Sequence, residues 1–234
     1  TYVLVHGAWG GSYGFRSVRP LLWAAGHEVF TPSLTGIGER AHLTGPHVGL
    51  DTHISDVVNT VHYEDLDDIV LLGFSYGGMV VTGCLDRIGD RVRHLVYLDA
   101  FVPTDGQSVA QIAGMPTPAD APIDSGNSWL IPPRPRQLES PEMAAWMEQR
   151  RSFQPVGTFT RPVSLRRPLE DWPFTLTYVK ATADPDESPD SGFWQASRHA
   201  SASDRWAHHE IATHHLIPVS RPRELADILL TLAD

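Results

Sequence analysis

The stretch Ile69-Val70-Leu71-Leu72-Gly73-Phe74-Ser75-Tyr76-Gly77-Gly78-Met79-Val80-Val81 decides the fold. Its first four residues form a continuous apolar run, which suits a strand buried on both faces. Its last residues open a helical pattern. Between them stands G-x-S-x-G, and a strand-to-helix turn of this kind holds its serine in strained backbone geometry and lifts the hydroxyl above the sheet. Gly73 and Gly77 leave room where side chains would collide between strand and helix. Ser75 therefore reads as a nucleophile at a helix N-terminus, where free N–H groups and the dipole favour developing negative charge. A phosphate-binding turn is the competing reading. Gly7-Ala8-Trp9-Gly10-Gly11, after the first apolar run, lacks the G-x-G-x-x-G spacing that reading needs, and there is no Walker lysine.

Outward from this turn, apolar runs recur at residues 2–6, 27–31, 95–100 and 176–182. Helical stretches at 15–25, 52–63, 78–88 and 223–232 lie between and after them, the last with Leu225, Ile228, Leu229 and Leu232 on one face. Strand and helix alternating in this way predict an α/β fold with a mostly parallel sheet flanked by helices. A chain of 234 residues, 41% of them hydrophobic, suffices for one core, so residues 1–234 read as a single domain. The alternation fails from about 104 to 171, where Pro116, Pro118, Pro122, Pro132, Pro133 and Pro135 cluster and one helix is evident near 141–151. That segment reads as a small cap insertion. Its Trp129, Trp146 and Phe153, with Phe159 and Trp172, are candidates for a pocket wall or for the cap's own core, and Trp9 is a further pocket candidate.

Asp and Glu number 28 against 18 Lys and Arg, a net charge of −10, and such a surface repels phosphate backbones and anionic membranes. The expected partner is a small-molecule substrate, with no nucleic acid and no membrane; oligomeric state is left open. The single cysteine, Cys84, excludes an intrachain disulfide and fits a reducing compartment, with cytoplasm the default. No apolar run is long enough to cross a bilayer, and Thr1-Tyr2-Val3-Leu4-Val5 has no basic stretch before it. A chain opening inside an apolar run is what loss of a short leader or first strand would leave.

The second signature is His6-Gly7-Ala8-Trp9-Gly10-Gly11 at the end of the first strand. Acyl transfer needs preorganised donors for a tetrahedral oxyanion, and the backbone N–H groups of Ala8 and Tyr76 are the candidates. His6 reads as a structural residue that bonds loop backbone. A serine hydroxyl needs a base, and in a strand–turn–helix elbow protein the order is Ser, acid, His. His208, His209, His214 and His215 cluster ahead of the last helix. His215, on the loop after an expected strand at 208–212, is the chosen base, and His214 the second choice. Asp184, after the 176–182 strand, is the chosen acid; Asp186 and Glu187 lie close by, and Asp99, ending an earlier strand, is the alternative. Four histidines also suggest a metal, but H-E-x-x-H spacing and carboxylate partners are lacking, so neither metal nor cofactor is expected.

Taken together, His6-Gly7-Ala8-Trp9, Leu34-Thr35-Gly36-Ile37-Gly38-Glu39-Arg40, the Ser75 elbow, Leu98-Asp99-Ala100-Phe101-Val102-Pro103 and His215 through Ser220-Arg221-Pro222 resemble a known family over nearly the whole chain. This is the group of small α/β-hydrolase-fold esterases related to plant hydroxynitrile lyases and methyl-salicylate-type methylesterases, with bacterial members that cleave esters, pyrethroids or carbamates. The resemblance implies a Ser75, Asp184, His215 triad and cleavage of an ester or carbamate; the triad chemistry implies an acyl-enzyme, and the acidic surface and aromatic-rich cap suggest a small, apolar or aromatic substrate. The lyases of the group carry a threonine after the first-strand histidine and a lysine after the catalytic one. Here those positions are Gly7 and Leu216. An apolar Leu216 lacks the charge that stabilises departing cyanide, so cyanohydrin cleavage is the lesser alternative, beside a non-catalytic ligand-binding role.

Overall fold

The computed structural model describes residues 1–115 and 129–232. Eight strands occur among them: β1 Tyr2–Val5, β2 Val29–Phe30, β3 Ile69–Phe74, β4 Val92–Leu98, β5 Leu130–Ile131, β6 Gln154–Pro155, β7 Thr175–Ala181 and β8 Trp206–Ile211. The α-helices are α1 Arg19–Ala24, α2 Leu50–Tyr63, α3 Gly77–Ile88, α4 Val109–Ile112, α5 Pro141–Glu148, α6 Gly157–Thr160, α7 Gly192–Ser201, α8 Ile217–Ser220 and α9 Pro222–Thr231. Six strands form one sheet in the order β2-β1-β3-β4-β7-β8, and every pairing in it is parallel.

The continuous apolar runs have a direct cause. β1 and β3 are almost wholly buried, because helices cover both faces of the sheet. Side chains still alternate within that burial. Val3, Val5, Leu71, Leu95, Tyr97, Leu176 and Tyr178 join one core with α2 and α3, while Tyr2, Leu4, Leu72, Val96, Leu98 and Val179 join a second core with α1 and α9. The edge strands differ. β2 has two half-buried residues, and in β8 only the ends, Trp206 and Ile211, are buried.

Several elements depart from the expected boundaries. The helix expected at 15–25 is a 3-10 turn at Ser12–Phe15 followed by α1, whose first turn contains Pro20. Helix α7, not anticipated, starts at an N-cap in which Ser191 Oγ accepts the N–H of Trp194. The segment from 104 to 171 leaves the sheet and holds α4, α5, α6 and the antiparallel pair β5–β6. Pro116, Pro118 and Pro122 of the proline cluster lie outside the described residues.

Strand order reverses beside β1: the chain moves from β1 out to β2, then back past β1 to β3. Crevices form at the carboxyl ends of strands where a doubly wound sheet reverses, so a ligand site belongs where β1 and β3 end. The His6–Gly11 loop and Ser75 lie there.

Candidate active site

Ser75 follows β3 with φ +55°, a left-handed conformation that costs a side-chain-bearing residue energy. The fold holds it there from both sides. Its N–H donates to the carbonyl of Leu98 at 3.1 Å, and its carbonyl accepts the N–H of Phe101 at 3.2 Å, tying the elbow to the end of β4. Glycine is required at the two flanking positions, because a Cβ on Gly73 would lie 2.6 Å from the carbonyl oxygen of Gly77, and one on Gly77 2.6 Å from that of Val5. Among the described residues, five non-glycine residues have positive φ, and three of them, Trp9, Ser75 and Asp99, surround this point.

His215 completes the contact. Its Nε2 lies 2.8 Å from Ser75 Oγ, and its Nδ1 lies 2.6 Å from Asp99 Oδ2. Asp99 comes directly after β4, has φ +42° and is fully buried. The ring of His215 stacks on Phe193 and packs against Phe74. Burial, and next the guanidinium of Arg136, lower the imidazole's pKa, opposed by its bond to Asp99. The resting imidazole is therefore neutral at neutral pH, with Nδ1–H donating to the carboxylate and Nε2 free to accept from the serine.

The ring contact thus falls to Asp99, the alternative acid, and not to Asp184, the chosen one. Asp184 does not reach the imidazole; its Oδ2 accepts the backbone N–H of His215 at 3.1 Å and pairs with Arg136 at 2.7 Å, while its Oδ1 accepts the N–H of Asp186. Burial opposes its charge, but the Asp186 N–H, Arg136 and the His215 N–H together hold the carboxyl below its ordinary range. Asp184 thus anchors the main chain of the histidine loop, and Asp99 holds the ring.

The remaining expected residues separate into two groups. The N–H groups of Ala8 and Tyr76 have no hydrogen-bond acceptor among the described residues and flank Ser75 on the β1 loop and at the head of α3. The β1 loop is fixed from the cap: the N–H of Trp9 donates to Gln154 Oε1 at 2.9 Å, its indole N–H to Ile131 O at 3.1 Å, and its carbonyl accepts the N–H of Ser152. His6 bridges backbone, with Nδ1–H donating to Gly7 O and Nε2 accepting from Leu34 N–H. His214 Nδ1 accepts the N–H of Leu216, and His208 pairs with Ser197, so neither meets the serine. Asp186 accepts the N–H of Gln137.

A cavity of about 590 Å³ opens over Ser75. Trp9 and Phe159 line it, as do Phe101, Met147, Phe193 and Leu216. Trp129, Trp146 and Phe153 do not. Trp146 packs against the guanidinium groups of Arg16 and Arg150, Phe153 is 53% exposed, and the Trp129 carbonyl accepts the N–H of Val156. Trp172 stacks on Phe174 in the core. Among the described residues no three His, Cys, Asp or Glu side chains are placed to hold a metal ion, and no helix is long and apolar enough to cross a membrane.

The chain is 42% identical over 176 residues to a carbendazim hydrolyzing esterase of Nocardioides sp. (strain SG-4G), covering 70% of this chain and 73% of that enzyme. It is 29% identical over 103 residues to an alpha-hydroxynitrile lyase of Arabidopsis thaliana, covering 44% of this chain and 40% of the lyase. An extracellular alpha/beta-hydrolase from a Paenibacillus species, described as sharing structural and functional homology with tobacco salicylic acid binding protein 2, superposes with a TM-score of 0.81 at 22% identity over 99% of this chain and 98% of its own. A pyrethroid hydrolase structure superposes with a TM-score of 0.72 at 20% identity, over 100% and 97% of the two chains. The profile of the alpha/beta hydrolase family matches residues 2–228, and the chain belongs to that family.

Proposed function

We propose that this hydrolase is a serine carboxylesterase that cleaves a small, apolar or aromatic ester or carbamate through an acyl-enzyme. The observation that carries the reading is the unbroken contact from Ser75 Oγ through His215 to Asp99. Ser75 Oγ attacks the carbonyl carbon while His215 Nε2 takes its proton. The oxyanion is met by the N–H groups of Ala8 and Tyr76. His215 then returns the proton to the departing alcohol or amine, and a water activated by the same nitrogen releases the acid and restores the serine. Asp99 holds the ring in the tautomer that keeps Nε2 unprotonated.

The substrate class rests on the cavity and on the relative's name. Phe101, Met147, Phe159, Phe193 and Leu216 supply apolar wall over the nucleophile, and the 42%-identical relative is named for hydrolysing carbendazim. Leu216 in the wall brings no charge to a leaving anion, which favours hydrolysis over cyanohydrin cleavage.

The test is hydrolysis of 4-nitrophenyl butyrate by the native protein and by Ser75→Ala, both checked for folding by circular dichroism. The native protein turns the ester over, and Ser75→Ala loses at least about 10⁴-fold in kcat. Equal rates in the two proteins contradict the reading.

A further inference from the structure

The chain contains one lysine, Lys180, and it lies in the interior. It belongs to β7 between buried Val179 and Ala181, on the sheet face that also carries Leu176 and Tyr178. Its side chain is 0% exposed, and its ammonium donates to Asp99 Oδ1, the carbonyl of Ala181 and Glu187 Oε2, each at 2.7 Å. All three N–H bonds are thereby used. The ring of Trp194 covers it at 4.5 Å.

The two oxygens of Asp99 are therefore divided. Oδ2 meets the ring of His215, while Oδ1 meets Lys180 and the N–H of Ala181. Strand register makes this possible: Leu98 pairs with Val179, so the next residue of each strand, Asp99 and Lys180, comes level at the end of the sheet.

We propose that Lys180 is a positioning residue for the hydrolase, holding Asp99 in line with His215 Nδ1 and setting the charge against which His215 takes the serine proton. The inference rests on the Ser75, His215, Asp99 reading above. Glu187 adds a second carboxyl on the far side of the ammonium, and burial and the neighbouring Asp99 push that carboxyl above its ordinary range; a cation held between two carboxyls leaves Asp99 free to welcome an imidazolium during turnover. Without the ammonium, the Asp99 carboxylate against the imidazole loses its neutralising cation, with Glu187 behind it, and His215 keeps its proton to higher pH. Without Glu187 the ammonium is left to Asp99 alone, and His215 gives up its proton at lower pH. The other charged and titratable groups around this chain of contacts are Arg136 and Asp184 near His215, His214 beside it, and Tyr178 near Asp99 and Glu187, while the neutral Ser191 hydroxyl donates to Glu187. None of them bonds the Lys180 ammonium.

The experiment follows the rate of Ser75 labelling by an alkyl fluorophosphonate against pH in the native protein, Lys180→Met and Glu187→Gln, with Ser75→Ala as control. The acid limb of the native profile moves to higher pH by about one unit in Lys180→Met. In Glu187→Gln it moves by less, to lower pH. A change in plateau rate with both limbs unmoved overturns the role of Lys180, since a purely structural residue lowers the rate without shifting the titration. Should Lys180→Met fail to fold, Glu187→Gln decides alone: a limb at lower pH supports the proposal, and an unmoved or raised limb overturns it. Labelling that persists in Ser75→Ala refutes the triad reading itself, and Lys180 with it. Labelling lost in Ser75→Ala with unmoved limbs refutes only Lys180.

Discussion

Asp99 and Asp184 follow two neighbouring parallel strands, β4 and β7, at the same end of the sheet, and both contact His215. One holds its ring and the other its backbone. The difference lies in how each carboxylate leaves its strand. Asp99 is the first residue after β4, still pinned to β7 by its N–H bond to Val179 O at 2.7 Å, and its positive φ turns the side chain across the sheet end. Asp184 comes three residues after β7, and those residues run beside β8, with Thr182 N–H on Ile211 O and Ala183 N–H on Thr213 O. That path delivers Asp184 to the start of the histidine loop. A carboxylate's role in this site is thus set by strand register and loop path, and nearness in sequence to the expected position decides less.

The comparison breaks most readily at Asp99. Asp99→Asn presents an amide where Nδ1–H needs a carboxylate, and kcat/KM for 4-nitrophenyl butyrate falls about 10⁴-fold with the fold intact by circular dichroism. Asp184→Asn keeps an oxygen for the His215 N–H but weakens the Arg136 pair. It costs about 1 kcal/mol of loop order, roughly a fivefold loss. Similar losses in the two variants would erase the distinction, and the reverse ranking would return the ring to Asp184.

The pH profile sharpens the same contrast on a smaller scale. Only neutral His215 can accept the serine proton, so kcat/KM rises with pH through a pKa below the ordinary histidine value and is level by neutral pH. Arg136 lowers that pKa and Asp184 raises it. Arg136→Gln therefore moves the acid limb up, and Asp184→Asn moves it down, each by about half a unit or less. Rates measured from acid to neutral pH check both signs, and a shift of the same sign in the two variants contradicts the account.

Much of this was legible in the residues, and the part that was not has physical reasons. Burial on both faces makes the central strands continuous apolar runs, so β1, β3, β4 and β7 are visible without their partners. The elbow is a local device, and its glycines mark it. The partner of His215 is a long-range fact: it depends on Leu98 lying beside Val179, which sequence spacing does not reveal. A signal for it was present all the same. A lone lysine inside Tyr178-Val179-Lys180-Ala181 requires a buried carboxylate nearby, and Asp99, ending an apolar strand, answers that need. Helix α7 was hidden by the run of acidic residues and prolines before it, although Ser191 marks its cap. The aromatic residues of 104–171 were ambiguous because their partners lie elsewhere. Trp146 is taken up by two arginines, while Phe159 turns inward against Trp9 and Tyr76.

The most direct test of the Ser75, His215, Asp99 assignment is the imidazole proton itself, observed by ¹H NMR of the native protein, Asp99→Asn and Asp184→Asn. The account predicts a far-downfield His215 Nδ1–H resonance in the native protein that persists in Asp184→Asn and vanishes in Asp99→Asn. Its survival in Asp99→Asn, with loss in Asp184→Asn, would contradict the account.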